Sequence, residues 1–137
     1  MDKLSVEAQK TQSVNTIYLD NSKIIGHNTD TVGFAMSIQK SNINLSNKKV
    51  LILGAGGVVP SIISSLIEMK VSKIFICNRT KEKAENLKSF FNDIKVINWG
   101  EIPDIDMIIN ATSLGLKEDD KMHLDFSLIG NNKLFYD

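Results

Sequence analysis

The sequence has one cysteine, two prolines and one tryptophan in 137 residues, and no surplus charge, with 16 basic and 16 acidic side chains. A lone Cys77 excludes a disulfide framework. Charge balance excludes bulk electrostatic capture of nucleic acid. His27 and His123 have no partner at metal-ligand spacing and Cys77 adds none, so no metal site is expected. The first residues, Met1 to Gln12, include Asp2, Lys3, Glu7 and Lys10 and no apolar core, which is no secretory signal, and a cytoplasmic location is expected. One stretch, Val50 to Ile67, runs 18 residues without a charge, the length of a membrane span. Its seven Gly, Pro and Ser residues argue instead for a shaped turn between two buried elements. Phe34, Phe90 and Trp99 read as packing residues, without the basic interleaving that base stacking on nucleic acid needs.

What is present is an ordinary globular composition, 42% hydrophobic and 23% charged. A chain of this size buries roughly two-thirds of its unfolded surface. The periodic signals are strongest in the middle. Val50 to Leu53 is a short apolar run of the kind buried on both faces of a parallel sheet. Val58, Val59, Ile62, Ile63, Leu66 and Ile67 recur at helical spacing, with Ser61, Ser64, Ser65 and Glu68 assigned to the outer face. Pro60 falls in the first turn, where its missing N–H loses little. Lys73 to Cys77 supplies the next strand, Thr80 caps a helix with Ala84, Leu87 and Phe91 inward, and Ile94–Ile97, Asp106–Asn110 and Leu134–Tyr136 read as further strands. Alternating elements from Lys48 onward mean an α/β, doubly wound, mostly parallel sheet. Upstream, Val14 to Leu19 reads as a strand, Asp20–Ser22 as a turn and Val32 to Ile38 as a helix. The polar stretch Asn42 to Asn47 marks a boundary, giving residues 1–41 and 42–137 as the expected domains.

Four clusters could carry chemistry. Gly54, Ala55, Gly56 and Gly57 lie at the strand-to-helix junction, where glycines let backbone N–H groups approach a phosphate and the helix N-terminus favours its charge. Val59 departs from the full fingerprint, which wants Gly or Ala there. At the end of the next strand an NAD site places a carboxylate about 20 residues past the glycines. This chain has Asn78, Arg79 and Thr80, followed by Lys81 and Lys83, a set suited to a 2′-phosphate, so NADP is favoured over NAD. In the first segment, Asn15 suits a substrate hydroxyl and Asp30 can hold a lysine ammonium or share its proton, while Asn28 or Thr29, taken alone, reads best as a helix cap. Asn110, Thr112, Ser113 and Leu114 follow a strand whose carboxyl end adjoins the glycine loop, where ligands of open α/β sheets bind; a plain turn competes with that reading.

Taken in order, these motifs resemble shikimate dehydrogenase. Val14-Asn15-Thr16 is similar to the family's V-N-T, Gly26-His27-Asn28-Thr29-Asp30 to its G-x-N-T-D and Gly54 to Gly57 to its G-A-G-G. Asn78-Arg79-Thr80 is similar to its N-R-T, and Ile109 to Gly115 to its I-N-A-T-S-x-G. The resemblance implies a Rossmann-type domain preceded by part of an α/β substrate-binding domain, and NADPH-dependent reduction of 3-dehydroshikimate to shikimate in chorismate and aromatic amino acid biosynthesis. Quinate or a related polyol acid is the alternative substrate. It also implies that Asn15 and Asp30 touch the substrate, with Asp30 paired to a catalytic lysine. Gly54 to Val58 would cradle the pyrophosphate and Asn78 to Lys83 the 2′-phosphate, while the small and hydroxyl residues of the Asn110, Thr112, Ser113 and Leu114 cluster, from their own chemistry, would let a nicotinamide ring and its ribose lie close to the backbone. Thr31 and Val58-Val59-Pro60 depart locally from the family's pattern. The larger departure is that neither Lys3 nor Lys10 stands in the family's T-x-P-x-K context. The chain is therefore expected to be an internal fragment of such an enzyme, or a nucleotide-binding module without turnover.

Overall fold

The computed structural model describes residues 1–115 and 124–137. Their contacts group them into two units, Met1–Ser46 with Gly57–Lys70, and Asn47–Gly56 with Val71–Asp137. The chain first passes between them inside the polar stretch Asn42 to Asn47 that marks the expected boundary. Against the expected division at 41/42, the helix following the glycines groups with the first unit, because its neighbours there are the other helices of that unit.

The first unit holds a three-stranded sheet in the order β1-β3-β2, where β1 is Lys3–Leu4, β2 is Thr16–Asp20 and β3 is Lys23–His27. Strands β2 and β3 form a hairpin whose two loop residues, Asn21 and Ser22, have φ of 46° and 64°. Positive φ at both central positions suits the right-handed strand twist, and Asn tolerates it. Helix α1 (Val6–Thr11) is capped by Ser5, whose Oγ accepts from the Ala8 N–H at 3.2 Å. The sequence reading contained neither α1 nor β3, which are too short to show a clear period. Helix α2 (Asp30–Lys40) buries Thr31, Phe34 and Ile38 at spacings of three and four.

Helix α3 (Val59–Glu68) carries Pro60 in its first turn, as its fixed φ allows. Its serines contradict the amphipathic reading. Ser61, Ser64 and Ser65 are buried together with Val59, Ile62, Ile63 and Leu66. A hydroxyl is cheap to bury when it bonds locally. Ser65 Oγ donates to Ser61 O at 3.0 Å and is 2.8 Å from Thr31 O, and Ser61 Oγ donates to Asn28 Oδ1 at 3.2 Å. The small serine face lets α3 pack against α2.

The second unit is a parallel five-stranded sheet in the order β6-β5-β4-β7-β8. Its strands are β4 (Lys49–Leu53), β5 (Lys73–Cys77), β6 (Ile94–Val96), β7 (Met107–Asn110) and β8 (Leu134–Tyr136). Helix α4 (Lys81–Leu87) follows β5, and a short 3-10 turn spans Phe126–Ile129. Leu51, Leu53, Phe75, Cys77 and Ile108 pack on one face of the sheet with Ile97, Ile105 and Ile129. Their neighbours Val50, Ile52, Ile74, Ile76, Met107 and Ile109 are also buried, so both faces are covered. Strands buried on both sides read as continuous apolar runs, which is why these were legible. Among the described residues, no helix is long and apolar enough to cross a membrane.

Candidate functional site

Because β4, β5, β6 and β7 run parallel, their carboxyl ends share one edge of the sheet, and the loops that follow them meet there. They enclose a pocket of about 330 Å³ within the second unit. After β4 it is lined by Gly54, Ala55 and Gly56, and after β5 by Asn78, Arg79 and Lys83. After β7 come Ala111, Thr112 and Ser113, and Trp99 enters from beyond β6.

Each loop is shaped by its own hydrogen bonds. Gly54 has φ +109°, and a Cβ there would stand 2.7 Å from Ala111 O. Its N–H donates to Cys77 O at 2.8 Å, and Ala111 N–H donates to Leu53 O at 2.8 Å, so the glycine turn is fastened to both neighbouring strand ends. Only glycine fits that position. Gly56 and Gly57 are different, since nothing lies within 4 Å of where their Cβ would be and their φ is ordinary. At Gly56, open space on the pocket side leaves backbone exposed to an incoming anion. Asn78 Nδ2 donates to Thr80 O at 2.8 Å, which closes the turn leading into α4. Asn110 Oδ1 accepts from Thr112 N and Thr112 Oγ1 at 3.1 and 2.7 Å. Its Nδ2 donates to Leu114 O at 3.2 Å and to Asp137 Oδ1 at 2.7 Å. Asn110 and Leu114 build this turn, while Ala111, Thr112 and Ser113 line the pocket.

The structure thus gathers Gly54, Ala55, Gly56, Asn78, Arg79, Lys83, Thr112 and Ser113 around one cavity. Thr80 and Lys81 lie outside its lining; Lys81 Nζ donates instead to Asn98 Oδ1 at 2.8 Å. Gly57 and Val58, the residues that lead into α3, belong to the first unit. Trp99 and Ala111 are the lining residues that sequence reasoning did not assign to the site. Trp99 was read as packing, which is half its role, because it also touches the buried cluster under the sheet.

The pocket's electrostatics follow from its inventory. Among the described residues, the charged groups that line the pocket are Arg79 and Lys83, and no lining residue is a carboxylate. An anion meets two cations, glycine backbone and hydroxyls, which fits a phosphorylated nucleotide. Cys77 lies under the loops with its thiol pushed up to about 11 by burial and then by the Glu101 charge, so it stays protonated and is no nucleophile. His123 lies outside the described residues; among the described residues no group of His, Cys, Asp and Glu could hold a metal ion.

Asn15 and Asp30 lie in the first unit. Asn15 Oδ1 accepts from Thr29 N at 3.0 Å and from the Thr29 and Thr16 hydroxyls at 3.2 and 3.1 Å. Asp30 opens α2, where a carboxylate is favoured by the helix dipole. The fully buried Asn28 fixes that end. Its Oδ1 accepts from Asp30 N and Thr31 N at 3.0 and 3.2 Å, and its Nδ2 donates to Ser13 O at 3.3 Å. Thr29 occupies the formal cap position without a side-chain cap bond, so the capping falls to Asn28.

The family model for shikimate / quinate 5-dehydrogenase matches residues 36–117, more than half of the chain and all four strand-end loops of the pocket. The chain belongs to that family. A curated relative from Pelagibacter ubique, named shikimate dehydrogenase (NADP(+)), is 54% identical over 100% of this chain and 52% of its own length. The crystal structure of shikimate dehydrogenase from Aquifex aeolicus superposes with a TM-score of 0.89 at 35% identity, over 98% of this chain and 51% of that one. The Thermus thermophilus enzyme, solved in complex with NADP(H) and shikimate, gives a TM-score of 0.85 at 27% identity, over 98% of this chain and 51% of its own. The chain spans about half the length of the curated relatives it matches. The Rossmann-type α/β fold expected of the family is the one observed.

Proposed function

We propose that this chain carries the NADP-binding portion, and two substrate-side residues, of a shikimate dehydrogenase-type oxidoreductase acting between 3-dehydroshikimate and shikimate. The observation that carries the reading is the pocket at the strand ends, with Arg79 and Lys83 in its wall and no carboxylate among the described residues that line it. A carboxylate there would bind the free ribose hydroxyl of NAD and repel a 2′-phosphate; a guanidinium does the reverse. The names of the relatives, NADP-dependent shikimate dehydrogenases, agree with it.

In this reading the backbone at Gly54 to Gly56 faces the pyrophosphate, with Gly57 and Val58 continuing the cradle. Asn78, Arg79, Thr80, Lys81 and Lys83 hold or attract the 2′-phosphate, and Asn110, Thr112, Ser113 and Leu114 present the turn beside the nicotinamide ribose. When bound, the cofactor supplies the hydride. Asn15 donates from its amide to a substrate hydroxyl, its Oδ1 being already engaged. Asp30 orients the ammonium that protonates the carbonyl oxygen. A cytoplasmic setting belongs to the same proposal, in keeping with the reduced, buried Cys77.

One observation favours a narrower second reading, nucleotide binding without turnover: no lysine of this sequence stands in the family's T-x-P-x-K context. Calorimetric titration of the purified chain with NADP and NAD tests the common core. Tighter binding of NADP is the expected result, and equal affinity overturns the 2′-phosphate assignment.

A further inference from the structure

Trp99 is the chain's single tryptophan and stands in two environments. It packs against the buried cluster under the sheet, as Ile102 and Leu124 also do. It also lines the pocket that holds Arg79 and Lys83, and it is half-buried. Its position is pinned at both ends. Ile97 N–H donates to Ile76 O at 2.9 Å, which prolongs the β5–β6 pairing. Asn98 accepts from Lys81 Nζ at 2.8 Å, its amide donates to the Glu101 carboxylate, and Glu101 N–H returns to Asn98 O at 3.1 Å. A ring held in a tied turn loses little further freedom when a ligand arrives.

The described residues that line the pocket beside Trp99 are glycine, alanine, asparagine, arginine, lysine, threonine and serine, so the indole is the one aromatic ring among them. Such a ring is what a heteroaromatic base stacks on. Which half of a dinucleotide it meets follows from strand order. Trp99 follows β6 and Arg79 follows β5, adjacent strands at one edge of the sheet, whereas the turn of Thr112 and Ser113 follows β7, beyond β4. The ring therefore neighbours the cations that take a ribose phosphate.

We propose that Trp99 is a base-stacking wall of this pocket, taking the purine of an adenosine 2′-phosphate while Arg79 and Lys83 take its phosphate. This rests on the cofactor reading above and adds the residue that reads the base. The test is titration of the whole chain with adenosine 2′,5′-bisphosphate, followed by calorimetry and by tryptophan emission. Trp99→Phe and Trp99→Leu are carried alongside, and inorganic pyrophosphate serves as a ligand without a base. Emission is expected to change in step with the heat. Trp99→Leu should weaken the nucleotide about ten-fold, Trp99→Phe by no more than about three-fold, and neither should alter pyrophosphate binding. Unchanged emission at calorimetric saturation, equal nucleotide affinity in the Leu and Phe variants, or a parallel loss of pyrophosphate binding overturns the proposal and leaves the cofactor reading standing. No binding of the nucleotide by the unaltered chain overturns the cofactor reading itself.

Discussion

At the scale of residues, glycines of one motif do different work. Gly54 is demanded by the fold, having φ +109° and Ala111 O 2.7 Å from a would-be Cβ. Gly54→Ala should lower stability by about 2 kcal/mol or more, read as a shifted urea midpoint. Gly56→Ala meets nothing within 4 Å, so its midpoint should stay within about 0.5 kcal/mol of the original while NADP affinity falls. A stable Gly56→Ala chain that binds NADP undiminished would remove the glycine loop from the site. Arg79→Asp should reverse the preference to NAD, by direct titration, since it replaces the cation with the carboxylate an NAD site uses. Cys77 is a buried thiol raised to about 11. From its unfolded value of 9.0 up to about 11, the unfolded chain releases this proton and the folded chain keeps it. This thiol's contribution is therefore complete below pH about 9 and lost as pH rises through that window. Comparing the original chain with Cys77→Ala by urea unfolding across it should show a shallower decline in the variant.

At the scale of elements, the helices of the first unit are tied by polar bonds. Asn28 Oδ1 serves the first turn of α2 and the Ser61 hydroxyl of α3. Asn28→Ala leaves those buried donors without their acceptor and should cost about 2 kcal/mol. Thr29→Ala, at the formal cap position but without a cap bond, should cost less than about 1 kcal/mol. Equal losses in thermal or urea unfolding would show that Asn28 does not carry the cap. Sequence periodicity found α2, α3 and the five strands of the second unit because long or mainly apolar elements impose their own pattern. It placed Ser61, Ser64 and Ser65 on the wrong side, since a serine that bonds backward to a carbonyl carries no outward preference that composition reveals. Strand β1, at Lys3–Leu4, is too short for any period and exists through its pairing with β3.

At the scale of the whole molecule, the candidate site depends on four loops from residues far apart in sequence meeting at one sheet edge. If the chain binds the cofactor without a lysine in the family's context, mixing it with NADPH and 3-dehydroshikimate should leave the cofactor's near-ultraviolet absorbance unchanged. Steady oxidation would show that another group of this chain donates the proton. The sequence by itself determined the charge balance, the parallel α/β order, the glycine turn and the cationic set after β5. These are local: each rests on residue type and short-range spacing, which strand burial and turn geometry fix. Only the tertiary structure decided that Arg79 and Lys83 both line the pocket while Lys81 is drawn off to Asn98, that Trp99 lines it too, and that Gly54 alone of its motif is sterically obligatory. Those facts are distances between segments separated by tens of residues, set by parallel strand order and register.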